Sequence, residues 1–524
     1  MKKFNVAGNC IPEEDYMVDI SGKLNQIKKL IDAKQYFTIN KARQYGKTTT
    51  LYELAKLLPS EYHVAHISFQ DIDPIYFESS DKFSTILLQY ISNAMEKSSP
   101  DKEYAREWNN QGVNDFNALG EHITIMCRDK KVVLMIDEVD NASSNSVFVK
   151  FLDVLREKYI KRRNGRDYTF HSVILASVYD IKNLKIKMIN DGSYSATATE
   201  SSVYNSPWNI ASNFNIDMSF SPSEIATMLQ QYENDNKTGM DITKISGEIY
   251  SYTCGYPFMV SRICQCIDEE LHKSWNIFSV KKAVNILLSE SNTLFDDVFK
   301  NLENNKELHD YIYDLLIMGV AKPYVIYNTI VSAGVRYGYL KKSGNGNDNV
   351  TISNKIFELF MTDYYIAKGS IGSKQIKGVL RQDIVKNGKF DMELCLRRFA
   401  DHYKELYNKE DAGFYERHGR LLFLSYLKPL INGQGFYHIE SQFTDLRRMD
   451  IVVDFSDEQF IIELKIWRGA KYEDDAYKQL LSYMESKKAE KSFLLTFDFR
   501  KEANIERKME WVDVEGKKIF SVNV

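Results

Sequence analysis

The sequence predicts a multidomain α/β chain, with a parallel-sheet domain first, a helical middle and a second α/β block at the end. Three observations predict it. Short apolar runs alternate with longer amphipathic stretches through the first half, the signature of strands and helices in layers. Strand patterns stop after about residue 215, and helical periodicity takes over. Beyond a polar, Gly-rich stretch at 369–388, the order becomes helices, then strand, strand, strand, helix, strand. With 524 residues the chain has room for about three to five domains.

Each element has its own justification. Residues 35–40 (QYFTIN), 64–69 (VAHISF), 132–136 (VVLMI) and 172–176 (SVILA) are short, apolar and rich in β-branched side chains, so they read as buried parallel strands. Residues 49–58 and 83–95 between them carry helical periodicity. Ser221-Pro222-Ser223-Glu224 opens a helix, with Ser221 as N-cap and Glu224 three residues on. Between 305 and 365, two helical patterns precede Gly338-Tyr339-Leu340, a polar turn at 343–349, Val350-Thr351-Ile352 and a further helix at 354–364. A helix pair followed by a hairpin with a polar tip suits a winged helix. In the last block, 435–443, 450–455, 460–466 and 491–497 read as strands and 472–488 as a helix.

Composition excludes several classes. With 68 basic and 72 acidic residues the net charge is −4, so a binder held to nucleic acid by bulk charge is ruled out while local basic patches are not. The longest apolar runs fall far short of the ~18 residues of a membrane helix. Met1-Lys2-Lys3 leads into polar residues and Glu13, Glu14 and Asp15, which is no secretory leader. The six cysteines, at 10, 127, 254, 264, 266 and 395, form no C-x-x-C and no zinc spacing. They read as reduced packing thiols, and the chain as cytoplasmic.

Chemistry enters after the first strand, at Lys41-Ala42-Arg43-Gln44-Tyr45-Gly46-Lys47-Thr48-Thr49. Gly-Lys-Thr at a helix start aims backbone N–H groups at an anion. Gly46 permits close approach, Lys47 reaches the β- and γ-phosphates, and the Thr48 hydroxyl can ligate Mg²⁺. Lys41 stands where G-x-x-x-x-G-K-[ST] has its first glycine, and read alone the segment is equally a helix with an exposed lysine. A second signal lies at 132–138, where an apolar strand runs into Asp137-Glu138. Carboxylates there suit a site at the sheet's C-terminal edge. Asp137 would hold Mg²⁺ and Glu138 would orient or deprotonate water. The plainer alternative is a solvated acidic turn, helped by Asp140. Ser177 at the next strand end is either a γ-phosphate sensor or a turn hydroxyl. Arg156, Arg162, Arg163 and Arg166 supply candidates for an arginine finger, against the plainer reading of a solvated basic helix end.

The run YFTINKARQYGKTTTL followed by VVLMIDEVD resembles the AAA-like bacterial ATPases related to the STAND and archaeal-type ATPase group, over roughly residues 10–365. That group often carries an R-Q/R-Y/F-G-K phosphate loop without the first glycine. The resemblance implies that Arg43, Gln44, Tyr45, Gly46, Lys47, Thr48, Thr49 and Asp137 bind ATP. Thr253-Cys254-Gly255-Tyr256-Pro257-Phe258 looks like the Gly-x-Pro motif of the group's helical lid, which puts Pro257 near the nucleotide.

A second constellation lies in the last block. Residues i and i+2 of a strand face one side, so Glu463 and Lys465 project together, beside Asp450 at the start of the neighbouring strand. Two carboxylates and an ammonium form a Mg²⁺ site next to a cation, able to polarise a phosphate and stabilise charge. Glu416 on the preceding helix can supply another carboxylate, and Gln479 and Tyr483, four apart, share a helix face. Singly, each is more simply a surface charge. Their order resembles the PD-(D/E)xK nuclease superfamily with its Q-x-x-x-Y helix, over roughly residues 391–497, with Met449 in place of the proline. The resemblance implies catalytic roles for Glu416, Asp450, Glu463, Lys465 and Gln479, and Mg²⁺ at Asp450 and Glu463.

The combined expectation is an AAA-like P-loop ATPase core at 1–215, a helical lid at 216–300, a winged helix at 301–368, a linker at 369–390 and a restriction-endonuclease-like nuclease domain at 391–524. Its cofactors would be ATP and Mg²⁺, its partner nucleic acid, DNA before RNA, with no membrane and room for a homo-oligomer. It would cleave phosphodiesters under nucleotide control, in a setting such as defence against foreign DNA. The alternative is a STAND-like signalling or interaction ATPase whose last domain binds nucleic acid or protein without cutting.

Overall fold

The computed structural model describes residues 2–70, 72–98, 101–142, 145–178, 208–318, 320–344, 348–370, 381–406, 412–431, 435–440, 450–456, 458–467, 476–478, 480–481, 484–485, 489–498 and 508–524. The chain divides into two compact units, Met1–Leu287 with Arg336–Gly338, and Leu288–Val335 with Tyr339–Val524.

The first unit is built on four parallel strands, β1 (Tyr36–Asn40), β2 (Tyr62–Ser68), β3 (Lys131–Asp137) and β4 (Ser172–Ser177), in the order β1-β4-β3-β2. Ser212 extends the sheet beyond β1 through a parallel bridge to Phe37. The strands read as unbroken apolar runs because both faces are covered. Val132, Leu134 and Ile136 enter one core with Phe83, Leu87 and Ile91 of α3 (Ser80–Ser98) and Phe148, Phe151 and Leu155 of α6 (Ser146–Arg163). The alternate residues Val133 and Met135 enter the other, with Ile27 and Ile31 of α1 (Ser21–Asp32) and Leu51 and Leu54 of α2 (Lys47–Leu57). Between α3 and α6 lie α4 (Lys102–Glu107) and α5 (Phe116–Met126). Asn40, Ser68, Asp137 and Ser177 end their strands on one edge, where a layered parallel sheet keeps its ligands.

Helices follow the sheet. The expected capping box is formed: Ser221 accepts from Glu224 N, and the Glu224 carboxylate accepts from Ser221 N at the start of α7 (Pro222–Asn236). The buried Lys23 of α1 bonds that carboxylate at 2.6 Å and Ser219 O at 2.8 Å, tying this helix to the sheet layer. Then come α8 (Ile242–Thr253), α9 (Pro257–Gln265) and α10 (Ile277–Ser289).

The second unit begins with α11 (Thr293–Asn304), α12 (Lys306–Leu316) and α13 (Thr329–Arg336), then a hairpin of β5 (Leu340–Lys342) and β6 (Val350–Ile352) and a long helix, α14 (Lys355–Ser370). Part of the stretch expected as a linker folds as a short helix, α15 (Arg381–Ile384), and a hairpin of β7 (Val385–Lys386) and β8 (Lys389–Phe390). Its turn residues Asn387 and Gly388 both have positive φ, 53° and 76°, which is what an Asn-Gly hairpin turn requires. Two helices, α16 (Met392–Leu406) and α17 (Ala412–Ile431), lead into a six-stranded mixed sheet ordered β13-β14-β12-β11-β10-β9. Its strands are β9 (Gly435–Glu440), β10 (Asp450–Phe455), β11 (Glu458–Ile466), β12 (Lys491–Phe497), β13 (Met509–Val514) and β14 (Lys517–Asn523). No helix among the described residues is long and apolar enough to cross a membrane.

Candidate nucleotide site and carboxylate cluster

The loop from β1 to α2 is set by backbone conformation. Gly46 takes φ 73° and Gln44 φ 55°, turning the chain so that α2 starts at Lys47. Gly46 needs that left-handed conformation, which costs an L side chain about 1–2 kcal/mol. The Lys47 ammonium is buried and donates to the carbonyls of Lys41 and Ala42, each at 2.9 Å. An ammonium has three protons, so one remains for an incoming anion. Burial pulls the Lys47 pKa down, and the carboxylates of Asp140, Glu138 and Asp137 oppose that pull.

Opposite the loop, β3 delivers Asp137, which is 2% exposed. The Thr48 hydroxyl donates to Asp137 Oδ2 at 2.6 Å, and Glu138 N donates to Asp137 Oδ1 at 2.9 Å. Glu138 takes φ 53°, an uncommon conformation for a residue with a side chain. Burial, and then the neighbouring charge of Asp137, push the Glu138 carboxyl above its ordinary range. Asp140 does more than close an acidic turn: its Oδ2 accepts from Val178 N at 2.8 Å, joining the ends of β3 and β4.

The other expected residues fall at measured places. Lys41, where a glycine was expected, lays its ammonium 5.7 Å from the centre of the Tyr45 ring. Tyr45 bonds Ser219 Oγ at 2.6 Å and meets the Tyr256 ring edge-on at 4.7 Å, so it serves the helical segment more than the phosphate loop. Arg43 is exposed, and its carbonyl accepts from the Tyr256 hydroxyl. Pro257 is buried at the first position of α9, next to that tyrosine. Thr49 Oγ1 accepts from Cys10 N at 3.3 Å. Ser177 is buried, with Oγ 3.4 Å from Asn40 Oδ1. Arg162 donates to the carbonyls of Lys34, Phe170 and His171 and lies over the Tyr36 and Tyr159 rings, which makes it a tie within the fold. Tyr256 was missed as a contact in its own right. The Gly-Tyr-Pro spacing was the available signal.

In the second unit, strand register pairs Asp450 with Glu463 and places Lys465 two residues along β11. Glu463 is 1% exposed and forms an ion pair with Lys465 Nζ. A buried carboxylate is tolerated only when paired. A second cation contributes: burial pulls the Arg420 guanidinium pKa down and the Glu463 charge opposes it. Arg420 Nη1 is buried without a hydrogen-bond partner. Arg420 was not anticipated, although it stands one helical turn after Glu416 on α17. The backbone of Glu416 and Asp450 is described, and their side chains lie outside the described residues, as do Gln479 and Tyr483 entirely.

A glycine-lysine-threonine loop between a parallel strand and a helix, facing an Asp-Glu strand end, defines the class of phosphate-loop ATPases. Residues 20–316, more than half of the chain, match the model of the AAA-like domain family, and the chain belongs to that family as an ATP-binding, AAA-like ATPase. No curated protein matches it. Among solved structures it is similar to the Walker-type ATPase of Pyrococcus abyssi, at 9% identity and a TM-score of 0.43, covering 68% of this chain and 99% of that one. It is also similar to the Aeropyrum pernix ORC2 protein in its ADPNP–ADP complexes, at 13% identity and a TM-score of 0.35, covering 70% and 98%.

Proposed function

We propose that this chain binds ATP with Mg²⁺, hydrolyses it, and under nucleotide control cleaves nucleic-acid phosphodiesters, DNA before RNA, with its last α/β block. The hydrolytic part rests on one observation, the Thr48 hydroxyl 2.6 Å from Asp137 Oδ2 beside the buried Lys47. A hydroxyl and a carboxylate oxygen side by side suit a hard cation, so Thr48 and Asp137 would hold Mg²⁺. Bound there, the metal would neutralise charge on the phosphates. Lys47 binds a phosphate oxygen with its remaining proton. The α2 N-terminus presents backbone N–H groups to the same anion. Glu138, held beside Asp137 with its proton affinity raised, takes a proton from the attacking water.

The cleavage part rests on the register of Asp450 with Glu463 and on the Lys465 ammonium beside that carboxylate. In this reading Glu463 and Asp450 would hold Mg²⁺, while Lys465 and Arg420 stabilise phosphate charge. The test is a cleavage assay on linear, circular and single-stranded substrates, with Mg²⁺ or EDTA and with or without ATP. Mg²⁺-dependent products that vanish in Lys465→Ala are expected. Full-length substrate under every condition would refute cleavage and leave the ATPase reading untouched.

The interaction reading is favoured by the segment around α13. If 301–368 is a winged helix, α13 (TIVSAGVR) would be its reading helix, yet its one basic residue is Arg336. Just before it, Val325, Ile326 and Tyr327 are exposed, Tyr327 by 94%. An apolar tip suits a protein surface better than a phosphate backbone.

A further inference from the structure

We propose that the groove along the outer edge of β2 takes an extended acidic peptide as an added strand. β2 is an edge strand, paired with β3 on one side only. Phe69 N donates to Asp137 O, and the parallel register pairs Ser68 with Asp137. The odd-numbered residues of β2 therefore turn their backbone groups to β3, and the even-numbered ones turn theirs outward. Val64 O is already taken, by Ser98 Oγ of α3 at 3.0 Å. The N–H and C=O of His66 face the groove, and no strand among the described residues pairs with them.

Edge strands are usually blunted by charge, proline, a bulge or a covering element. Here the edge instead forms the floor of a trough of about 610 Å³, with α2 as one wall and the C-terminal half of α3 as the other. From Val64 to Ser68 the floor runs about 13 Å, enough to seat four or so extended residues. Tyr52 on one wall is 45% exposed and meets the His66 ring edge-on at 4.6 Å. Tyr90 stands on the other. A strand laid on His66 would make main-chain hydrogen bonds and send alternate side chains to these rings.

Charge decides the kind of peptide. The lining holds two lysines, Lys56 and Lys97, and no carboxylate. Lys56 shares Glu53 of its own helix at 3.0 Å, and Lys97 has no acidic partner among the described residues. A strand with acidic residues at alternate positions complements this rim, and a basic one is repelled.

The probe is a fluorescein-labelled, end-blocked hexapeptide of alternating Glu and Val, titrated into the full chain and followed by anisotropy. Three controls accompany it: the Lys/Val counterpart, the Glu/Val peptide with N-methylated backbone, and free glutamate or inorganic phosphate as competitors. Binding at least about tenfold tighter than the Lys/Val peptide is expected, with loss of about tenfold in Lys97→Glu. Asn93 is exposed on the groove wall, so Asn93→Trp should fill the trough and remove binding without disturbing the melting curve. Hydrogen exchange should slow at the His66 amide. No binding, equal binding by the N-methylated peptide, unchanged binding in Asn93→Trp, or full competition by phosphate would each overturn the proposal.

Discussion

Replacing Glu138 by Gln should stabilise the fold while stopping ATP turnover. The carboxylate follows Asp137 directly, in a left-handed conformation that fixes it there. Burial and the Asp137 charge raise its pKa above the ordinary 4.5. Neighbouring unit charges in a partly screened setting repel by roughly 1–2 kcal/mol. Glu138 is only half-buried, so screening brings the net gain on substitution below about 1 kcal/mol. In a unit of this size that is about one to three degrees in Tm. The sign fixes the pH dependence. A folded pKa above the unfolded one gives stability that is present at acid pH and lost as pH rises through the folded value. The Tm advantage of Glu138→Gln should therefore be absent near pH 4 and widen towards pH 7. Turnover should fall about 10²–10⁴-fold, the usual worth of a general base, with ATP binding kept. Scanning fluorimetry across pH and a phosphate-release assay measure both. A variant that melts lower than wild type at pH 7, or that turns over normally, would refute the placement of Glu138 as a strained, catalytic carboxylate.

Lys47→Ala should weaken ATP about 10–100-fold, the worth of one charge-assisted contact, as read by displacement of a fluorescent nucleotide; wild-type affinity would contradict the phosphate-loop assignment. Gly255→Ala should cost several kcal/mol, about 3 or more, because Gly255 takes φ 74° and a Cβ there would lie 1.9 Å from Phe220 O; a thermal melt checks it. Glu463→Gln should lower Tm in EDTA, since it removes the buried charge that Lys465 and Arg420 face, and should also abolish any Mn²⁺-dependent rise in Tm seen in wild type. A loss of the first kind alone would mark a structural ion pair.

The phosphate-loop core was the most legible part, because its elements rest on local rules. Val132–Ile136 is a short unbroken apolar run, the pattern of a strand covered on both faces, and Gly-Lys-Thr after QYFTIN places a lysine and a hydroxyl at a helix start. The capping box at Ser221 lies within four residues and needs no distant partner. Chain-order patterns also carried the pairing of Glu463 with Lys465, because a strand repeats every two residues. The β7–β8 hairpin shows a local signal passed over: Lys-Asn-Gly-Lys spells its turn, but the surrounding glycines and polar residues read as linker. The β13–β14 hairpin escaped because Met509–Val514 is half-exposed and alternates weakly.

The chemical groups themselves are legible in chain order: a lysine and threonine at a helix start, two carboxylates at a strand end, and a carboxylate–lysine pair two residues apart. Which of them are engaged, and by what, follows only from the packing of distant segments. Tyr45 reads as part of the nucleotide loop, yet its hydroxyl is spent on Ser219, 174 residues away. Asp140 reads as a solvated turn, yet it joins two strand ends. Arg162 reads as a finger candidate, yet three carbonyls hold it. Arg420 carries no motif at all and matters only through the buried Glu463 charge. The physical reason is common to these cases. Periodicity and turn chemistry are local and leave a trace in neighbouring residues, whereas burial and hydrogen-bond partners are properties of chain segments brought together from far apart.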